Sequence, residues 1–236
     1  MKPDEIDRII EQAAAREPAQ VEDSRLVENI RGTLLKDLQP VRPLPPSWLF
    51  VVSLTGLFVF FAATSGSILG LHGIHALSVL QMAWLFPVLL ATATMAAIAS
   101  AREMRPASGV RFSFLAPIIA TAVFLILFGA LLSGYGTPNF IKEGIPCLVA
   151  GLSVALPTAA AIALILRRGF VLDWSRAGTV AGTLAGLTGL GMLELHCPNL
   201  KAIHVMVWHI AVVIVSGVAG FAIGWAADHL PRRQTP

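Results

Sequence analysis

The chain has 236 residues, of which 56% are hydrophobic and 13% charged, with a formal net charge of +3. A soluble domain carries about 25% charged residues, so this composition excludes an ordinary soluble enzyme or binding domain and points to a membrane chain. The small positive excess suits flanks that meet anionic lipid, and no direct contact with nucleic acid is expected.

In chain order, residues 1–46 come first and differ from the rest, because they mix acidic, basic and apolar residues. Ile6, Ile9 and Ile10 recur at helical spacing with Ala13 and Ala14. A second stripe runs Leu26, Val27, Ile30, Leu34 and Leu38, with Asp23 or Ser24 placed to cap it and Pro40 to end it. Pro40, Pro43, Pro45 and Pro46 then make a stiff spacer. The tail therefore reads as two short amphipathic helices, too small to bury a core of their own. Such stripes lie on the inner leaflet or dock into the groove of a cytoplasmic protein. Glu22, Asp23, Glu28 and Asp37 would face anionic headgroups in the first case, which favours the second. The first 42 residues contain no apolar h-region, so no secretory signal peptide is expected and the first span serves as the insertion signal.

No charged residue occurs from Pro43 to Ala101, from Phe112 to Ile141, from Gly144 to Leu166, from Ala177 to Leu193, or from Ala202 to Ala227. A span needs about 20 apolar residues, so the first stretch holds two, divided at His72-Gly73-Ile74-His75. The six predicted spans are 48–71, 77–100, 112–134, 146–166, 177–196 and 203–226. Fifteen of the 17 Lys and Arg fall in the N-terminal tail, in segments 101–111 and 167–176, and in the C-terminal tail. The positive-inside rule then makes both termini cytoplasmic, and Trp48, Trp174 and Trp225 fall near the inner boundary.

Within the spans, Gly178, Gly182 and Gly186 recur every four residues, as do Ser216, Gly220 and Gly224, giving two faces suited to close backbone approach. Pro87 and Pro157 lie inside spans and should kink them. Glu194, close to an outer end, is the only charged residue in a predicted span, which is thin support for a transport path.

Cys147 and Cys197 are the only cysteines. Cys147 precedes Arg167 by 20 residues and Cys197 follows Arg176 by 21. At about 1.5 Å per residue both lie roughly 30 Å from the cytoplasmic charges, at the outer ends of consecutive spans. Glu194, His196, His204 and His209 lie near them in sequence, with His72 and His75 in another outer loop. Cys147, Cys197, His196 and His204 are the expected members of a tetrahedral site for zinc or another soft divalent metal, with Glu194 a further candidate. His204 and His209 are five residues apart, about 140° around an α-helix, so one ion is not expected to take both. The competing reading makes the cysteines ordinary buried apolar residues.

No CxxC, nucleotide-binding loop, HExxH or nucleophile triad is present, so an enzyme is not expected. A small membrane transporter and a structural membrane subunit, each with a Cys/His metal cluster on the periplasmic side, are the alternative readings.

The segment from Gly191 to His209, GMLELHCPNLKAIHVMVWH, together with Gly144-Ile-Pro-Cys-Leu-Val-Ala-Gly151 and Leu166-Arg-Arg-Gly169, resembles the NrsF-like family of bacterial inner-membrane proteins. These are negative regulators of extracytoplasmic-function sigma factors of the sigma-F type. The resemblance implies a six-span anti-sigma factor that holds its sigma factor through a cytoplasmic N-terminal region. It also matches Cys147 and Cys197 to the family's two outer-facing cysteines, which stress signalling requires. With no Cys or His in residues 1–46, the tail would inhibit through its apolar stripes and not as a zinc-binding domain.

The expected fold is thus all-α. Residues 1–46 form the cytoplasmic sigma-binding region, 47–228 a six-helix transmembrane sensor in the inner membrane, and 229–236 a cytoplasmic tail. The expected function is release of the sigma factor when the cysteines meet oxidant or heavy metal.

Overall fold

A computed structural model of the chain describes residues 28–33, 45–104, 119–123, 136 and 139–229. Two compact units are present, residues 1–43 and 44–236. In the first, residues 28–33 are helical, with the Thr33 hydroxyl donating to the Asn29 carbonyl at 2.9 Å. Ile30 of the second predicted stripe is 52% exposed on this helix. Ile6, Ile9, Ile10, Leu26, Val27, Leu34 and Leu38 lie outside the described residues.

In the second unit every described regular element is helical. Helix α1 covers Ser47–Leu69, α2 His72–Ala76, α3 Val79–Glu103, α4 Phe140–Leu166 and α5 Trp174–His196. The last, α6, covers Ala202–His229 with a π-helical turn at Val205–His209. Helices α1, α3, α4 and α6 are each long and apolar enough to cross a membrane. Their outward faces carry large apolar side chains such as Phe60, Leu156 and Ile223. Of the predicted span 112–134, residues 119–123 are described and helical. The polar turn expected at residues 72–75 is instead the short helix α2. Helix α4 starts six residues before the predicted span, with Glu143 in its first turn, where a carboxylate favours the positive end of the helix dipole.

Local sequence explains the ends. Ser78 and Gln81 form a reciprocal capping box at the start of α3. Gly70 closes α1 at φ +101°, in the left-handed region that favours glycine. Pro198 stops α5, and the residue before a proline avoids the α region, so Cys197 takes φ −77°, ψ 118°. Pro87, Pro146 and Pro157 lie within α3 and α4.

Helix α5 is the hub. Every residue from Val180 to Glu194 is buried, and α1, α3, α4 and α6 all pack against it. A helix buried all round must be enclosed by others, and the small residues of α5 permit this. Gly178 and Gly182 lie directly against the carbonyls of Gly220 and Ser216 on α6. The two faces of small residues seen in the sequence are thus one shared contact.

Opposite ends of the bundle are tied separately. At one end Phe170 N donates to Met104 O at 3.0 Å. There Asp228, near the end of α6, accepts from Trp174 N, Ser175 N and the Ser175 hydroxyl at 3.2, 3.0 and 2.8 Å. This carboxylate satisfies first-turn donors of α5 that have no intrahelical partner. Asp228→Ala should therefore speed amide hydrogen exchange at Trp174 and Ser175 while leaving exchange at Leu190 unchanged. At the other end α2 lies against the end of α5, where Gly73 meets the carbonyls of Glu194 and Cys197.

Candidate functional site

Three elements build a cluster at the α2 end of the bundle. Helix α4 contributes Cys147 from its second turn, the turn after α5 contributes Cys197, and the first turns of α6 contribute His204 and His209. The two sulfurs stand 3.5 Å apart, about 1.5 Å beyond a covalent S–S bond. Cys197 Sγ is 3.7 Å from His204 Nε2. One ligand atom from each of Cys147, Cys197, His204 and His209 fits within 4.8 Å of all the others. Cys147 is partly exposed while the other three are buried, so a reagent has its most direct access at Cys147.

Polar contacts hold the cluster. Asn199 Nδ2 donates to Glu143 Oε2 at 2.8 Å, joining the Cys197 turn to the start of α4. Lys201 N donates to Asn199 Oδ1 at 3.3 Å. Deeper in the bundle, His209 Nδ1 donates to Glu194 Oε1 at 2.8 Å, and both side chains are 0% exposed. His204 and His209 meet edge to face with ring centroids 5.4 Å apart. The Cys197 thiol is pushed above its ordinary pKa, first by its hydrogen bond with Cys147 and then by burial.

The four clustered residues differ from the expected set, since His196 is not among them. Its Nδ1 lies 3.0 Å from Gly70 O and its ring beside that of His72, with centroids 5.9 Å apart. Glu194 touches His209 instead of serving as one of the four. His204 and His209, which an α-helix would hold about 140° apart, share the cluster because the helix is not α there. In the π turn Ile210 N bonds to Val205 O, five residues earlier, and i→i+5 closure brings residues five apart onto one side. The extra residue also lets Trp208 sit against Gly144 of α4 while His209 reaches Glu194. An apolar run at ordinary helical spacing carries no sign of a π turn, so His209 was not accessible to periodicity.

One protein-family model matches residues 34–227, most of the chain; its description is NrsF, negative regulator of sigma F. The matched segment contains all four members of the cluster. No curated protein matches the chain, and neither does any solved structure.

Proposed function

Because the chain belongs to the NrsF family of negative regulators of sigma F, we propose that it is a membrane-bound anti-sigma factor whose input is the Cys147–Cys197 pair. In this reading six helices span a bacterial inner membrane with both termini in the cytoplasm, and the cluster faces the periplasm. Residues 1–46 hold an extracytoplasmic-function sigma factor of the sigma-F type away from RNA polymerase, their apolar stripes lying in a groove of the partner. Oxidant or a soft metal ion at the thiols biases the bundle toward a second state that releases the tail. Such a signal must interact unequally with the two states.

The single observation that carries this reading is the convergence of both cysteines of the chain, sulfurs 3.5 Å apart, at the junction of α4, α5 and α6. Oxidation there would join the two sulfurs and pass two electrons and two protons to an external acceptor such as a peroxide. A change at this junction bears directly on α5, which the other long helices enclose. The regulatory family also bears on the absence of an enzymatic reading, since its description names a regulator.

Affinity purification of the full-length chain from its native membranes should bring down a sigma factor, and the chain lacking residues 1–46 should not. Ile30→Glu should weaken the association by about tenfold or more, as expected when charge enters an apolar anchor. Recovery of no sigma factor with the intact chain, before and after oxidant, would remove the reading.

A further inference from the structure

A disulfide needs only two sulfurs, yet the structure brings two imidazoles to them. This inference rests on the reading that Cys147 and Cys197 are the input, and it names the ligand. His204 and His209 are both 0% exposed; His204 Nε2 stands 3.7 Å from Cys197 Sγ, and His209 Nε2 has no hydrogen-bond partner. Buried polar atoms are nearly always satisfied, and leaving them bare costs free energy. The π turn that assembles this arrangement is itself rare and frequent at functional sites.

We propose that Cys147, Cys197, His204 and His209 form a tetrahedral centre for a divalent cation of the zinc and cadmium class, with Glu194 as the positioning residue of His209. The donor set fits. Two thiolates and two imidazoles select soft or borderline ions over magnesium or calcium, which take oxygen ligands. Metal–sulfur and metal–nitrogen bonds of about 2.3 and 2.0–2.1 Å give tetrahedral edges of about 3.3–3.8 Å. The four atoms already lie within 4.8 Å of one another, so inward movement of about 1 Å completes the shell. Glu194 accepts a hydrogen bond from His209 Nδ1–H, which keeps the proton on Nδ1 and leaves Nε2 as the free lone pair, the usual carboxylate–histidine–metal arrangement. Each ion displaces two thiol protons and moves no electrons. An ion that takes both imidazoles also requires the π register, since an α turn would separate His204 and His209 by about 140°.

The test uses the reduced full-length protein in nanodiscs, titrated with Co²⁺ and separately with Cd²⁺. One equivalent of Co²⁺ should give the intense visible bands of a tetrahedral site with thiolate-to-cobalt charge transfer. His204→Gln and His209→Gln should each weaken Cd²⁺ binding. Glu194→Leu should weaken it by roughly 10–100-fold, the usual effect of losing an outer-shell partner. Glu194→Gln should recover much of that loss, because its amide oxygen still accepts from His209 Nδ1. A wild-type cobalt spectrum typical of six-coordination, absence of saturable binding, or histidine variants that bind as tightly as wild type would each overturn the proposal.

Sigma-factor release from the same nanodiscs on peroxide treatment separates the two readings. If release needs both cysteines but no metal centre forms, the metal proposal falls and the functional reading stands. If the centre forms as described and release is indifferent to both cysteines, the functional reading falls and the metal centre stands.

Discussion

With Cys197→Ser, a sigma-factor-dependent reporter is expected to stay at its uninduced level in the presence of either peroxide or cadmium, while wild type responds to at least one. Serine is nearly isosteric with cysteine, and its hydroxyl can still hydrogen-bond to the neighbouring thiol and imidazole. The site is 4% exposed, so the substitution leaves the resting bundle packed and repression intact. What it removes is thiol chemistry, because an alkoxide is far less accessible than a thiolate and a hydroxyl is a poor ligand for a soft ion. Cys147→Ser should behave in the same way, since either route needs both sulfurs. Reporter activity measured with and without inducer, alongside membrane levels of the protein, checks the prediction. Full induction in either variant would count against the cysteine pair as the input. Constitutive induction at normal protein levels would instead make the cysteine part of the resting lock.

The second large effect concerns the hub. Gly182→Leu is expected to prevent stable packing of α5 against α6, and Gly182→Ala to lower the unfolding midpoint measurably. A Cβ at residue 182 would fall on the Ser216 backbone carbonyl, which cannot rotate away as a side chain could. Overpacking of this kind costs about 1–3 kcal/mol and sometimes more. In a bilayer there is little hydrophobic drive between helices to offset it, because lipid tails are as apolar as the helix faces. Gly56→Ala on α1 is the matched control, since a Cβ there meets nothing within 4 Å. Thermal or detergent-denaturation midpoints in purified protein should separate the two sites. Equal midpoints for Gly182→Ala and Gly56→Ala would refute the close-contact account.

Four of the predicted spans correspond to helices with the length and composition to cross a membrane, α1, α3, α4 and α6. Each was readable because an uninterrupted apolar run is a local property. The fifth span is also a helix, but its distinctive role was not readable. Its glycines and threonines lower its own hydropathy, and only the surrounding helices show why so many small residues are there. The Gly178 and Gly220 faces carried a packing signal without a partner; the fold pairs them with each other.

At the cluster the contrast is sharper. Counting residues from Arg167 and Arg176 put Cys147 and Cys197 at a common depth, and the sulfurs are indeed adjacent. Depth follows from helical rise alone, whereas the helix rotations that bring the sulfurs to 3.5 Å come from packing. Selecting the imidazoles was different. His196 is next to Cys197 in sequence yet turns to Gly70, because α5 ends there and Cys197 leaves the helix in extended conformation ahead of Pro198. His209 is twelve residues from Cys197 yet joins it, because one inserted residue in the turn rotates it toward Glu194.

The sequence by itself determined an apolar all-helical chain and two thiols level with each other, because these depend on local composition and a fixed rise per residue. Only the tertiary structure decided that α5 is enclosed and that His209 completes the cluster in place of His196. Helix rotation and the π turn are set by side chains meeting across helices, Trp208 on Gly144 and His209 on Glu194, and such contacts have no signature in either partner's local sequence.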